Sequence, residues 1–272
     1  MLGTSALDLY YYESSSSNRI KTFNKTLDKV LGGGIILGKG ILELCGIPGS
    51  GKTNLCKQLS LNVQIPTSIG GIDRNTLYID SEGSFSILRL KEMANSLVEK
   101  FYHKLDNDER RTFTVNKLIE GVIYLRIFDL NELKNIVENL EMICKQKNLG
   151  LIIIDSISML IRTCNLSNRT YKLKMQDYIA NKLVLVSKKM ELAVIVTNHM
   201  TFKSLSGELE NQLDSSKKIE PSLGSSWNSL ISSRFILRPI KTYIENSVIF
   251  ITNSESDTTP FQDGIIEYVG DY

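Results

Sequence analysis

Cysteine and histidine are both scarce in this chain, whose 272 residues include four cysteines and two histidines. The cysteines form no Cys-x-x-Cys pair and lie far apart, at Cys45, Cys56, Cys144 and Cys164. With only His103 and His199 to complement them, they do not have the spacing of a zinc site. The same scarcity gives no disulfide framework, so we expect reduced thiols and an intracellular protein.

Long apolar runs and a secretory leader are also missing. No segment reaches the roughly 18 consecutive apolar residues of a membrane span. The first residues carry Asp8, Glu13 and the run Ser14–Ser17 instead of a basic segment followed by an apolar one. We therefore expect a soluble protein with no membrane partner. Residues 1–20 are predicted to form a flexible arm, because the serine run has nothing to pack.

The chain also lacks a large excess of positive charge. It has 32 basic and 30 acidic residues, which gives a net charge of +2. Such a chain has no general electrostatic attraction to nucleic acid, so any DNA contact has to come from local loops. The hydrophobic share of 42% and the charged share of 23% are typical of a globular domain.

From Ile41 onward, short apolar runs alternate with amphipathic stretches. Strands are predicted at Ile41–Gly46, Thr76–Asp80, Val122–Phe128, Leu149–Asp155 and Leu192–Asn198, and helices at Thr53–Gln64, Ser86–Leu105, Asn131–Lys147 and Tyr171–Met190. Apolar strands separated by helices indicate a mostly parallel central sheet covered by helices on both faces, an α/β fold.

The pattern changes near the carboxyl end of the chain. Consecutive strands follow Trp227, at Arg234–Pro239, Ser247–Thr252 and Gly264–Val269, and predict an antiparallel C-terminal extension. The polar stretch between Asn198 and Trp227 has no clear periodicity and is predicted to be a functional or disordered loop. Residues 21–272 are thus expected to form one domain.

One motif carries specific chemistry. Eight consecutive residues fit G-x-x-x-x-G-K-[ST] at every fixed position: Gly46, Ile47, Pro48, Gly49, Ser50, Gly51, Lys52 and Thr53. The loop follows a predicted strand and opens a predicted helix, so its backbone N–H groups can converge on a phosphate. We expect Lys52 to reach the β- and γ-phosphates and Thr53 to ligate Mg²⁺. A plain glycine-rich turn would leave the Lys-Thr pair unexplained, so ATP and Mg²⁺ are the predicted cofactors.

Two acidic residues are candidates for the rest of this site. Asp155 ends the apolar strand Leu149–Asp155, where it can serve as a second metal ligand; the alternative is an ordinary cap. Glu82, which Gly83 lifts off the sheet, can orient an attacking water; the alternative is a solvated turn glutamate.

Several segments in the same order resemble the RecA-type recombinases, and more narrowly the eukaryotic strand-exchange recombinases and their paralogues. They are Thr26–Ile35, Glu43–Gly46, Gly51–Cys56, Gln64–Pro66 with Gly70–Gly71, and Tyr78–Phe85. The C-type paralogues in particular are resembled by Leu55–Leu59, Asn62–Pro66, Asp80–Phe85 and Pro221–Trp227. The likeness implies a RecA-like core and runs from about Thr22 to the last strands.

The resemblance also implies roles for single residues. Glu82 corresponds to the water-activating residue, and Arg89 to an arginine that packs on adenine, the alternative being a helix-surface arginine. His199 stands where the recombinases usually have a glutamine that senses the γ-phosphate. Its alternative is a buried histidine at a strand end with a backbone partner.

The resemblance places DNA contacts in two loops. Arg162 and Arg169 follow Asp155 in the first loop, and Lys203, Lys217 and Lys218 belong to the second, within Met200–Leu223. Acidic residues outnumber the lysines in the second loop, so a solvated loop without a DNA role is the alternative.

The sequence departs from the family in three respects. We expect no helical N-terminal domain before Thr22, we find no Phe-x-x-Ala docking motif, and histidine stands at position 199.

The favoured function is a nuclear, ATP-dependent recombination mediator that binds single-stranded or branched DNA. It would assemble with other paralogues and a strand-exchange recombinase, as a hetero-oligomer, and hydrolyse ATP slowly when DNA stimulates it. The alternative is an assembly subunit that binds ATP without hydrolysing it. A RecA-core helicase or a small-molecule kinase has less support, since no acceptor-binding lid is found.

Overall fold

The computed structural model of the protein describes residues 5–7, 18–164, 169–203, 218–240, 248–253 and 264–267. Its strands within these ranges are β1 (Arg19–Ile20), β2 (Ile35–Ile36), β3 (Ile41–Gly46), β4 (Asn75–Asp80), β5 (Val122–Arg126), β6 (Leu149–Asp155), β7 (Ala193–Lys203), β8 (Lys218–Pro221), β9 (Ser233–Ile240), β10 (Val248–Asn253) and β11 (Gly264–Glu267). The helices are α1 (Lys25–Val30), α2 (Lys52–Asn62), α3 (Ile87–Phe101), α4 (Asn107–Thr112), α5 (Val115–Glu120), α6 (Leu130–Lys147), α7 (Ile157–Thr163), α8 (Arg169–Met190) and α9 (Gly224–Asn228), with short 3-10 turns at Thr67–Ile69 and Tyr102–Lys104.

The main sheet has the strand order β11-β10-β9-β3-β7-β6-β4-β5. From β9 to β5 in this order every neighbouring pair is parallel. β10 and β11 add antiparallel strands beyond β9, and β8 pairs antiparallel with the end of β7. β1 and β2 form a separate antiparallel pair. The prediction of a mostly parallel sheet with an antiparallel C-terminal extension is confirmed.

Two details differ from the prediction. β9 was expected to belong to the antiparallel extension, but it lies parallel to β3. After α9 the chain returns to the amino end of β3, where the Ser232 N–H donates to the Ile41 carbonyl at 2.8 Å, so β9 starts at the same end as β3. Of the stretch expected to be a loop after Asn198, the first residues continue β7 to Lys203 and Lys218–Pro221 form β8, while residues 204–217 lie outside the described residues.

The central strands are buried because both of their faces are covered. In β6, Leu151 and Ile153 pack with α2 and α3 on one face, while Ile152 and Ile154 pack with α6 and α8 on the other. Successive side chains of a strand point to opposite faces, so a strand that is covered on both faces is apolar at most of its positions. This accounts for the continuous apolar runs of the sequence.

The strand register aligns the polar residues at the carboxyl ends of the strands. Gly46, the last residue of β3, lies opposite His199 of β7. Asp80, the last residue of β4, lies opposite Asp155 of β6. In parallel sheets, ligands bind at this edge. The fold therefore brings the predicted site residues to one place.

Most of residues 1–20 lie outside the described residues, so the flexible arm stays a prediction. Arg19 and Ile20, at the end of that segment, form β1, and Ile20 is buried in the core. Among the described helices, none is long and apolar enough to cross a membrane.

Candidate functional site

The loop Gly46–Thr53 joins β3 to α2 and is closely packed on itself. Gly51 has a φ of 91°, a left-handed conformation that favours glycine, at the start of the helix. At Gly46, an added Cβ would lie 2.3 Å from the Ser50 hydroxyl and 2.9 Å from the Leu237 carbonyl oxygen. Glycine is therefore favoured at position 51 by the backbone conformation and at position 46 by the lack of space for a side chain.

Lys52 is buried inside this loop. Its Nζ donates hydrogen bonds to the carbonyl oxygens of Gly46, at 2.8 Å, and Ile47, at 3.0 Å. Burial lowers the pKa of Lys52, and the nearby carboxylates of Asp155 and Glu82 oppose that shift. The ammonium group therefore lies inside the loop, at a position where it could bind a phosphate.

Thr53 and Asp155 form the pair expected of a metal site. The Thr53 hydroxyl donates to Asp155 Oδ2 at 2.8 Å. Tyr78 donates to the same oxygen at 2.8 Å and Thr197 to Oδ1 at 2.6 Å, which keeps the carboxylate in one orientation. Burial and then the charge of Asp155 raise the pKa of Tyr78, so it stays a donor. Sequence reasoning gave Tyr78 and Thr197 no role, because nothing local to β4 or β7 shows that their hydroxyls reach Asp155.

The site residues fit a phosphate and a magnesium ion. The Ser50 hydroxyl is buried without a hydrogen-bond partner among the described residues, in a loop that also holds the Lys52 ammonium. A hydroxyl and a carboxylate in contact offer the oxygen ligands that Mg²⁺ prefers. Within the described residues, no cluster of three or more His, Cys, Asp or Glu forms a separate metal site.

Asp80 holds the turn that carries Glu82. Its carboxylate accepts hydrogen bonds from the N–H groups of Glu82, Gly83 and Phe85, at 2.9, 2.7 and 3.2 Å. Gly83 has a φ of 77°, which a larger residue would adopt only with strain. Buried Lys57 donates to the Ser84 carbonyl at 3.3 Å and supports the turn from α2.

The Glu82 side chain contacts two residues from other elements. Its Oε1 receives hydrogen bonds from the His199 ring and from the Ser156 hydroxyl. The His199 hydrogen bond, first, and that of Ser156 lower the pKa of Glu82, while burial opposes them. Ser156, which sequence reasoning missed, also caps α7 by accepting from the Met159 N–H at 3.3 Å.

Arg89 lies in the first turn of α3, directly after the Glu82 turn. Its guanidinium pairs with Glu92 at 2.8 Å, and 43% of its side chain is exposed. This pairing is typical of a helix surface. Contact with adenine remains a prediction.

The residues predicted to contact DNA lie in two regions at the carboxyl edge of the sheet. Arg162 is exposed in the last turn of α7, and Arg169 begins α8. Lys203 ends β7 and is paired in register with Lys218 of β8. Lys217 lies outside the described residues. The structure thus brings both limbs of the predicted second loop together as a two-stranded ribbon.

A buried polar cluster beneath this ribbon was not predicted. Fully buried Glu43 of β3 accepts from Asn198 at 2.8 Å and from the Trp227 indole at 2.7 Å, and it pairs with Arg234. Asn198 in turn accepts from Ser222 at 2.7 Å. The charged Glu43 within an otherwise apolar strand could have indicated a buried polar contact. Its partners could not be identified from the sequence, because they are far from it along the chain.

Comparison with known proteins agrees with these features. The chain matches the Rad51 family model over residues 14–254. It is 34% identical over 240 residues to DNA repair protein RAD51 homolog 3 of Dictyostelium discoideum, which covers 86% of this chain and 61% of that protein. The protein of the same description from Cricetulus griseus is 31% identical over 266 residues, with coverages of 94% and 69%. DNA repair and recombination protein RadA of Metallosphaera sedula is 34% identical over 194 residues, with coverages of 69% and 54%. The chain thus spans about half to two thirds of the length of these relatives.

Proposed function

The chain belongs to the Rad51 family, and we propose that it is an ATP- and Mg²⁺-dependent, DNA-binding recombinase paralogue. It would act in homologous recombination and double-strand break repair. One observation carries the proposal: the loop lysine, the Thr53–Asp155 pair and Glu82 meet at one edge of a parallel sheet. The relatives' descriptions as DNA repair and recombination proteins support the cellular role.

Phosphate binding would depend on the loop and on Lys52. The backbone N–H groups of the loop and the amino end of α2 provide partial positive charge for the β-phosphate. Lys52 now donates to two loop carbonyls, so a bound γ-phosphate would compete for its ammonium as a stronger, charged acceptor. Thr53 and Asp155 would hold Mg²⁺. When bound, this ion would supply positive charge that offsets the negative charge developing during phosphoryl transfer.

Glu82 would position the attacking water. The charge of Lys52 in the loop is among the influences that lower the pKa of the Glu82 carboxylate, after its hydrogen bonds with His199 and Ser156. A carboxylate whose pKa is lowered is a weak base, so its contribution is mainly to orient the water in line with the β–γ bond. A slow turnover would fit such a weak base and an assisting role.

The DNA and protein partners are inferred from the family and from the position of the ribbon. Arg162 and the β7–β8 ribbon lie at the same edge of the sheet as the nucleotide loop, so DNA bound there would lie near the site. We propose single-stranded or branched DNA in the nucleus, with other recombinase paralogues and a strand-exchange recombinase as hetero-oligomeric partners. The chain would assist assembly of the recombinase filament.

The test is ATP hydrolysis measured with and without single-stranded DNA, alone and with candidate paralogue chains. Lys52→Ala and Glu82→Gln should each lower the DNA-stimulated rate at least about tenfold, because both act on the transferred group. Lys91→Ala and Glu99→Gln, at exposed positions of α3, are the matched controls and should leave the rate unchanged. If both site variants hydrolyse ATP at the wild-type rate, the assignment fails.

A second candidate is favoured by the contact between His199 and Glu82. A carboxylate already engaged by two donors has less freedom to activate water. The chain would then be an assembly subunit that binds ATP without turnover. Stoichiometric ATP binding with no product, with or without DNA and partner chains, would select this alternative.

A further inference from the structure

The side chain of Glu82 is held by donors from two other segments of the chain, β7 and the residue after β6. His199 comes from β7 and Ser156 from the residue after β6, and both donate to Oε1. In the sheet, β6 separates β4 from β7, so the Glu82 turn must reach across the end of β6 to meet His199. The contact therefore depends on tertiary structure and not on a local turn.

The backbone of His199 is fixed on both sides. Its N–H donates to the Ser158 hydroxyl at 3.2 Å, and its carbonyl oxygen accepts from the Ser222 N–H at 2.9 Å. The His199 ring is largely enclosed, with 17% of the side chain exposed. A ring on such a fixed backbone, in a confined space, can hold its partner in one orientation.

Both hydrogen bonds end on Oε1, so neither occupies Oε2. With one oxygen held by two donors, the plane of the carboxylate is set and Oε2 remains as an acceptor for water. Other charged groups nearby are Lys52 of α2, whose charge favours the ionised form of Glu82, and the carboxylates Asp80 and Asp155 at the ends of β4 and β6. The donors on Oε1 also favour the ionised form over the protonated one.

We propose that His199 is a positioning residue for Glu82: it holds the carboxylate through Oε1 and directs Oε2 toward the water beside the γ-phosphate. This role differs from that of a group that contacts the γ-phosphate itself. It rests on the proposed function, because Glu82 needs such a partner only if it activates water.

The first test detects the contact without any turnover. The chain has two histidines, so ring ¹⁵N spectra contain few signals, and exposed His103 is an internal control. Glu82→Gln should shift the ring signals of His199 and leave those of His103 in place. An unchanged His199 signal would overturn the proposal even if the protein hydrolyses ATP. A shifted signal in a protein without turnover would support the contact and count against the proposed function.

The second test uses a double-variant cycle on the rate and on nucleotide affinity. His199→Leu should slow hydrolysis about tenfold and move the acid limb of the pH profile upward, while affinity for a non-hydrolysable ATP analogue stays unchanged. His199→Gln keeps a donor and should recover part of the rate. The double variant Glu82→Gln with His199→Leu should be no slower than Glu82→Gln alone, because His199 acts through Glu82. Additive losses of rate would overturn the proposal. So would an affinity of His199→Leu that falls, relative to wild type, more for the ATP analogue than for ADP, because that result would assign His199 to the γ-phosphate.

Discussion

Replacing Glu43 by glutamine should destabilise the protein, although residue 43 lies outside the phosphate loop. Glutamine keeps an acceptor oxygen for the Asn198 amide and the Trp227 indole but removes the charge that pairs with Arg234. Arg234 is 7% exposed, so it cannot recover its hydration. Breaking one partner of a buried ion pair costs about 3–5 kcal/mol, and the hydrogen bonds that remain favour the lower end, about 3 kcal/mol.

Urea unfolding followed by circular dichroism gives the free energy, and tryptophan fluorescence reports on the cluster directly. Trp227 is the only tryptophan and is fully buried, with its indole N–H donating to Glu43. The emission of Glu43→Gln should therefore change together with its stability. Glu99→Gln, an exposed change of the same chemistry, should stay within about 0.5 kcal/mol of wild type. A loss below about 1 kcal/mol with unchanged emission would refute the assignment of a buried ion pair. Glu43→Leu with Arg234→Met removes both charges and should be more stable than Glu43→Leu alone.

Three further predictions concern the nucleotide site. Tyr78→Phe removes one of the hydroxyl donors from the metal-binding carboxylate, so the Mg²⁺ concentration that supports half-maximal ATP binding should rise about tenfold in a magnesium titration. The lowered pKa of Glu82 adds stability above its unfolded pKa and loses it as the pH falls through the folded pKa. The unfolding free energies of wild type and Glu82→Gln should thus converge as the pH falls below the ordinary glutamate pKa of about 4.3, and a constant difference would contradict this. Gly46→Ala would place a Cβ 2.3 Å from the Ser50 hydroxyl, so it should lower stability by about 1–3 kcal/mol in thermal unfolding and weaken binding of a fluorescent ATP analogue.

The central strands could be predicted because each is an apolar run buried on two faces. β3 and β6 have the predicted bounds, Ile41–Gly46 and Leu149–Asp155. The RecA-like core and the resemblance to the C-type paralogues are confirmed by the Rad51 match and by relatives described as RAD51 homolog 3. Whether β9 is parallel or antiparallel to its neighbour could not be predicted. The residue pattern of a strand does not reveal its direction in the sheet, which depends here on the route of the chain through α9. The short helices α4 and α5 were missed because each has only six residues.

The candidate site could be predicted where it is local in sequence. The loop from Gly46 to Thr53 is one continuous motif, so its geometry follows from the conformations of its own residues. The contact between Glu82 and His199 joins residues 117 positions apart and exists only because β4, β6 and β7 end at one edge. The same reason explains why the partners of Glu43 were missed.

The most direct measurement of the central claim is calorimetric titration of the protein with ATP, with and without Mg²⁺. The site geometry predicts one nucleotide per chain, affinity that depends on Mg²⁺, and loss of that affinity in Lys52→Ala but not in Lys91→Ala, since only Lys52 lies within the loop. Binding that is equal in both variants, or no binding with Mg²⁺ present, would contradict the assignment of Gly46–Thr53 as an ATP site.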